Sequence, residues 1–148
     1  MYKHILVPTD GSKLSAKAIR SAAGLAKACG AKLTGIYVIP PYEPPMYSEG
    51  AVLGMPVSRR VYQDAAEKIA KKALAVVEIE SQTAGVDSTA LSVNGAQPWK
   101  AIIETARKRR CDAIVMASHG RRGLAGLLLG SETVKVLTHS KVPVLVCR

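Results

Sequence analysis

The fold is decided by Cys111-Asp112-Ala113-Ile114-Val115-Met116-Ala117 and by the stretch that continues it, Ser118-His119-Gly120-Arg121-Arg122-Gly123-Leu124-Ala125-Gly126-Leu127-Leu128-Leu129-Gly130-Ser131-Glu132-Thr133. From Ala113 onward the first piece is apolar at every position instead of at every second one, so it reads as a strand covered on both faces. The second piece is a glycine-rich connection, after which a helix opens at Ser131 and runs to about His139. A strand buried on both faces that feeds a helix is the unit of a parallel sheet, because parallel neighbours need a crossover that passes over one face or the other.

The same unit recurs outward from there. Lys3-His4-Ile5-Leu6-Val7-Pro8 is a short apolar run closed by the turn formers Thr9-Asp10-Gly11-Ser12. A helix comes next, in which Leu14, Ala18, Ala22, Leu25, Ala26 and Cys29 recur at three- and four-residue steps until Gly30 stops it. Leu33 to Ile39 is a second strand, ended by Pro40-Pro41, which cannot continue a ladder. Ser58 to about Thr83 reads as a long helix with Tyr62, Ala66, Ile69, Ala73, Val76 and Val77 inward. Val86 to Val93 is a third strand, Gln97 to Arg109 a helix with Trp99, Ile102, Ile103 and Ala106 inward, and Val142-Pro143-Val144-Leu145-Val146 a fifth strand. The alternation predicts an α/β fold in a single domain over residues 1–148: an open, doubly wound, parallel five-stranded sheet with helices on both faces. Ligands of such sheets settle outside the carboxyl ends of the strands where strand order reverses, which singles out the loops after strands one, two and four.

Composition sets the outer limits. The chain has 148 residues, 48% hydrophobic and 22% charged, the balance of one compact domain. At that length folding removes roughly 70% of the extended chain's surface from water, so neither metal nor disulfide is needed for stability. The three cysteines, Cys29, Cys111 and Cys147, form no CxxC pair, which argues against a zinc ribbon and for a reducing compartment. With no long apolar span and no signal-peptide pattern, the expectation is a cytoplasmic protein without a membrane partner. A net charge of +10 favours anionic partners. With aromatics at 4% and no Phe, however, a stacking platform for nucleic acid is hard to build, and nucleic acid is not the expected ligand. Five of the eight prolines fall between Pro40 and Val57 without periodicity, so that segment reads as an irregular loop, either a lid or a plain surface excursion.

The glycine-rich connection carries the chemistry. Small residues let backbone N–H groups approach an anion, Ser131 and Thr133 add hydroxyls, and a helix opens there with its unpaired amides and positive dipole end. The common phosphate motifs are absent: there is no Gly-x4-Gly-Lys-Ser/Thr loop, no GxGxxG, and no nucleophile elbow around Ser118. Several residues carry two readings. Asp10 is either a turn residue or a ligand contact, and Ser131 either an N-cap or a phosphate contact. His119 touches a phosphate or is a solvated loop residue. Arg107-Lys108-Arg109-Arg110 is a solvated helix end before it is a nucleic-acid patch, and Arg121 and Arg122 either attract phosphates or reach across a subunit boundary. No catalytic residue is assigned.

The segment resembles the universal stress protein family, whose ATP-binding members carry Gly-x2-Gly-x9-Gly-Ser/Thr after the fourth strand. Gly120, nine residues, Gly130 and Ser131 fit that pattern, and Ala117 stands at its first glycine. The start Ile5 to Ser12 and the ending Val142 to Val146 match the family too, so the likeness covers essentially the whole chain. It implies a Rossmann-like sandwich, similar to adenine nucleotide alpha hydrolases, that binds ATP with Mg²⁺ or Mn²⁺ carried by the nucleotide. Pro8, Thr9 and Asp10 would lie beside the adenosine, with Asp10 near the ribose hydroxyls. Val38 would pack on the adenine, and Met116 and Ala117 alongside adenine and ribose. Gly120, Gly130, Ser131 and Thr133 would hold the phosphates. The function implied is a regulatory or protective stress-response module with little or no turnover, and a homodimer joined through Val142 to Val146. The alternative is a nucleotide-free homodimeric adaptor of the same fold, with Ala117 closing the pocket.

Overall fold

The computed structural model describes residues 1–44, 58–120 and 129–148. Five strands and four helices alternate: β1 (His4–Pro8), α1 (Lys13–Cys29), β2 (Lys32–Ile39), α2 (Arg59–Ala84), β3 (Ser88–Asn94), α3 (Pro98–Arg109), β4 (Ala113–Ala117), α4 (Ser131–His139) and β5 (Val144–Cys147). The strands form one parallel sheet in the order β3-β2-β1-β4-β5, so the doubly wound α/β architecture expected from the sequence is the one observed. Strand order reverses between β1 and β4, which places the switch point at Pro8 and Ala117.

Both faces of the sheet are buried because successive side chains of one strand point to opposite sides. Ile5 and Val7 of β1 join Ile19, Ala22 and Ala26 of α1 and Val77 of α2 on one face. Leu6 joins Ile102 and Ala106 of α3 and Val136 of α4 on the other. Each fully buried Val, Leu or Ile side chain here contributes about 1.5–3 kcal/mol relative to exposure. Helix α2 approaches β2 so closely that a Cβ on Gly35 would lie 2.7 Å from Val77 Cγ2, which accounts for a glycine inside a strand.

The helix ends are specified locally. Ser12 and Ser58 cap α1 and α2 by accepting the N–H groups of Ser15 and Val61. Gly30 (φ 65°) and Gly85 (φ 70°) close the same helices in the left-handed conformation that costs glycine nothing.

The inner face of α2 differs from expectation. The buried residues are Ala70, Ala73, Leu74, Val77 and Ser81, while Ile69 is 47% exposed. The reason is length. At 26 residues α2 extends about 39 Å, whereas the eight-residue β2 spans about 26 Å, so the first turns of the helix overhang the sheet. That overhang meets the segment leaving β2: Tyr62 Oη donates to the Pro40 carbonyl at 2.9 Å and its ring lies 5.5 Å from that of Tyr42. Likewise in α1 the buried stripe is Ser15, Ala18, Ile19, Ala22, Ala23 and Ala26, with Leu14, Leu25 and Cys29 only half-buried.

Candidate functional site

The loop after β1 is fixed by short polar bonds. Thr9 N–H donates to the Ile36 carbonyl at 2.9 Å, which carries the β1/β2 pairing one residue past Pro8. Its buried hydroxyl meets Ser15 Oγ at 3.0 Å and accepts the Gly11 N–H at 3.1 Å. Asp10 Oδ1 accepts the Ser12 N–H at 2.9 Å, an Asx turn that leads into the Ser12 cap of α1. The turn reading of Asp10 therefore describes one of its carboxylate oxygens. The other lies where a Cβ on Gly120 would come within 2.7 Å, so a side chain at 120 would have to displace this half-buried carboxylate at the ends of β1 and β4.

The other half of the site is the start of α4. Gly130, with φ −71° and ψ 153°, is its N-cap, and Ser131 is the first helical residue. Of the two readings of Ser131, the N-cap one is therefore not the structure's: Ser131 is exposed and α4 has no side-chain cap. Two bonds fasten this turn to the end of β4. Gly130 N–H donates to the Ser118 carbonyl at 2.7 Å, and the buried Thr133 hydroxyl donates to the Ala117 carbonyl at 3.0 Å. A Cβ on Gly130 would lie 3.1 Å from His119 Cα, so close backbone approach rather than positive φ demands glycine here. Because the Gly130 amide and the Thr133 hydroxyl proton are committed to the protein, the donors that the first turn of α4 offers an anion, among the described residues, are the amides of Ser131, Glu132 and Thr133, together with the Ser131 hydroxyl. An α-helix cannot pair its first-turn N–H groups internally, and their dipoles favour negative charge.

Ala117 belongs to β4, is 9% exposed, and has no positive φ, so the methyl in place of glycine introduces no backbone strain. Its neighbour Met116 is buried, and half-buried Val38 of β2 packs on the same apolar cluster, so both lie on the α3/α4 face of the sheet flanking Pro8. Pro8, Thr9, Asp10, Val38, Met116, Ala117, Gly120, Gly130, Ser131 and Thr133 accordingly all sit at the carboxyl ends of β1, β2 and β4 or in the turns just beyond. His119 Nδ1 lies 3.1 Å from Ser118 Oγ. Arg121, Arg122 and the central part of the proposed lid, residues 45–57, lie outside the described residues. No group of three or more metal-ligating side chains occurs among the described residues, and no helix there is long and apolar enough to cross a membrane.

A cavity of about 460 Å³ opens at the opposite, amino end of the strands, lined in part by Lys3, Lys27, Lys32 and Asp87. Despite its lysines it is a poor anion site. The carboxyl ends of α1 and α2 face it, and the Gly30, Ala31, Gly85 and Val86 N–H groups are spent on the carbonyls of those helix ends.

A parallel sheet wound on both faces, with small residues and a helix start gathered at its switch point, defines the doubly wound α/β proteins that bind ligands at the carboxyl ends of their strands. Within that class the assignment is specific. The model of the universal stress protein family matches residues 1–148, and the chain belongs to that family. It is 33% identical over its full length to a universal stress protein of Thermus aquaticus, all of which is covered. It is 31% identical to universal stress protein MJ0531 of Methanocaldococcus jannaschii, over all of this chain and 83% of that one. Among solved structures, a universal stress protein in complex with cAMP superposes with a TM-score of 0.71 at 29% identity, over 99% of this chain and 97% of that one.

Residue-type reasoning did not find Glu132, one of whose carboxylate oxygens reaches another helix. Its partner is 33 positions away, so no local pattern announces it.

Proposed function

We propose that this chain binds an adenine nucleotide, ATP with Mg²⁺ or Mn²⁺ brought by its phosphates, and works as a homodimeric, cytoplasmic regulatory or protective module with little or no turnover. The observation that carries the reading is the first turn of α4. It starts at a glycine without a side-chain cap, is fastened to β4 through Gly130 and Thr133, and so aims the amides of residues 131–133 beyond the carboxyl edge of the sheet. The apolar Val38 and Met116 on one side and the Asp10 carboxylate on the other suit a base and a ribose. The cAMP complex of a relative supports adenine as that base.

The test is acid extraction of freshly purified protein followed by nucleotide chromatography, with calorimetric titration of Mg-ATP into the stripped protein. Co-purified adenine nucleotide or a saturable heat is the expected result, and the absence of both would leave the nucleotide-free adaptor as the function. The dimer is supported by β5, an edge strand that carries Leu145 at 49% exposure, and by the exposure of Val134 and Leu137 of α4 at 45% and 41%. Light scattering on the eluted protein reads its mass directly, and a monomer would remove that part of the proposal.

A further inference from the structure

Helix α3 begins without a cap of its own. Gln97 occupies the N-cap position with no side-chain bond, and Pro98 has no N–H, so the first donor of the helix is Trp99 N–H. That donor is met from α4: Glu132 Oε2 accepts it at 2.9 Å, while Glu132 Oε1 takes Lys135 Nζ at 3.1 Å. The far end of α4 meets the same residue, since the Trp99 ring lies on His139 with centroids 4.7 Å apart. The start of α3 is therefore held to both ends of α4. Glu132 also sits in the first turn of α4, beside the amides assigned to phosphate, where a carboxylate turned toward its own helix start would repel an anion.

We infer that Glu132 is a positioning residue for the phosphate-binding turn. By capping α3 it holds the first turn of α4 in the direction that presents its amides, and it keeps its own charge away from the anion. Its effect on affinity rests on the proposed nucleotide function, whereas its effect on the turn itself does not.

The test compares wild type, Glu132→Gln and Glu132→Ala by Mg-ATP titration, with the fluorescence of Trp99, the sole tryptophan, as a second signal. Amide hydrogen exchange on the nucleotide-free proteins accompanies it. Glutamine keeps an acceptor for Trp99 N–H, so it should bind within about threefold of wild type. Alanine should bind about five- to tenfold more weakly, and exchange at Trp99 and at Val134, whose N–H makes the first bond of α4 to the Gly130 carbonyl, should rise by a similar factor. An alanine variant that melts earlier yet binds with unchanged affinity would make the cap purely structural and overturn the inference. Tighter binding by alanine would overturn it as well, by showing that the carboxylate acts on the phosphates as a repulsive charge. Should wild type take up no Mg-ATP, the nucleotide reading fails by itself. Exchange at Val134 then decides the matter, acceleration in alanine but not in glutamine upholding the link and equal rates refuting it.

Discussion

The two ends of the sheet solve the same problem in opposite ways. At the amino end the chain satisfies its own polar groups. The Asp112 carboxylate accepts the N–H groups of Lys3 and His4, at 2.8 and 3.0 Å. His4 Nε2 meets Thr34 Oγ1 at 2.7 Å, which in turn meets Thr89 Oγ1 at 3.0 Å. Gly30, Gly85 and Arg110, all with positive φ, close α1, α2 and α3. At the carboxyl end, Ser12 and Ser58 cap α1 and α2, but α4 starts with no side-chain cap and α3 borrows one. Glycines at 120 and 130 keep side chains out of the gap between the ends of β1 and β4 and the start of α4, so the amino pole is closed by its own bonds while the carboxyl pole keeps the uncapped start of α4.

The largest effect that could break this contrast is on affinity. Gly130→Val pushes a branched side chain into the backbone at His119, and Mg-ATP binding should weaken by about 100-fold, equivalent to about 2.7 kcal/mol, with the fold retained. Calorimetry checks it, and unchanged affinity would move the anion site away from α4. Asp112→Ala probes the other pole. It strips the acceptor from two backbone amides and should lower unfolding free energy by about 1–2 kcal/mol in urea titrations, leaving Mg-ATP affinity as it was. A change in affinity there would mean that the poles are coupled. Ser81→Ala should act in the opposite direction, because the buried Ser81 Oγ is the side-chain polar atom without a partner among the described residues, and its removal should stabilise the protein by about 1 kcal/mol.

The smallest effect is one of pH. Burial, reinforced by Lys32, holds His4 below its ordinary value of 6.5. The unfolded chain therefore takes up that proton more readily than the folded one. Stability should fall as pH drops below about 6.5 and level off below the folded value. Denaturation curves at pH 7.5 and 5.5 should show a shallower loss for His4→Gln, and equal losses would assign the acid sensitivity to another group. Asp112 contributes lower on the scale. Burial opposes its ionisation, yet the bonds from the His4 and Lys3 amides outweigh that and hold its carboxyl below the usual carboxylate range, so its contribution is lost only as pH falls through that range. Cys111 is inert throughout, since burial pushes its thiol up to about 11.

The central strands were readable from the sequence because burial on both faces makes them continuously apolar, as in Ile5 to Val7 and Ala113 to Ala117. The helix ends were readable where Ser12, Ser58, Gly30 and Gly85 act within a turn of themselves. The inner face of α2 was not, because periodicity ranks residues by apolarity and cannot say that the first turns overhang the sheet and leave Ile69 in water. The site was legible as a set of positions and less so as a set of roles. Gly130 and Thr133 were expected to face phosphate, yet in the structure their donors fasten α4 to β4. Glu132 and Asp112 act across 33 and more than a hundred positions, a range at which a single sequence holds no local signal.

The strand order has a consequence for how the molecule is made. β1 leaves the ribosome first but ends up in the middle, paired with β2 early and with β4 only after most of the chain has been synthesised. Until then one of its edges is bare, and Asp10 has no Gly120 to lie against. A nascent chain can therefore gain nothing from a ligand, whereas the finished one can gain stability by mass action. Any stabilisation by a small molecule at this edge would begin only once β4 has paired with β1.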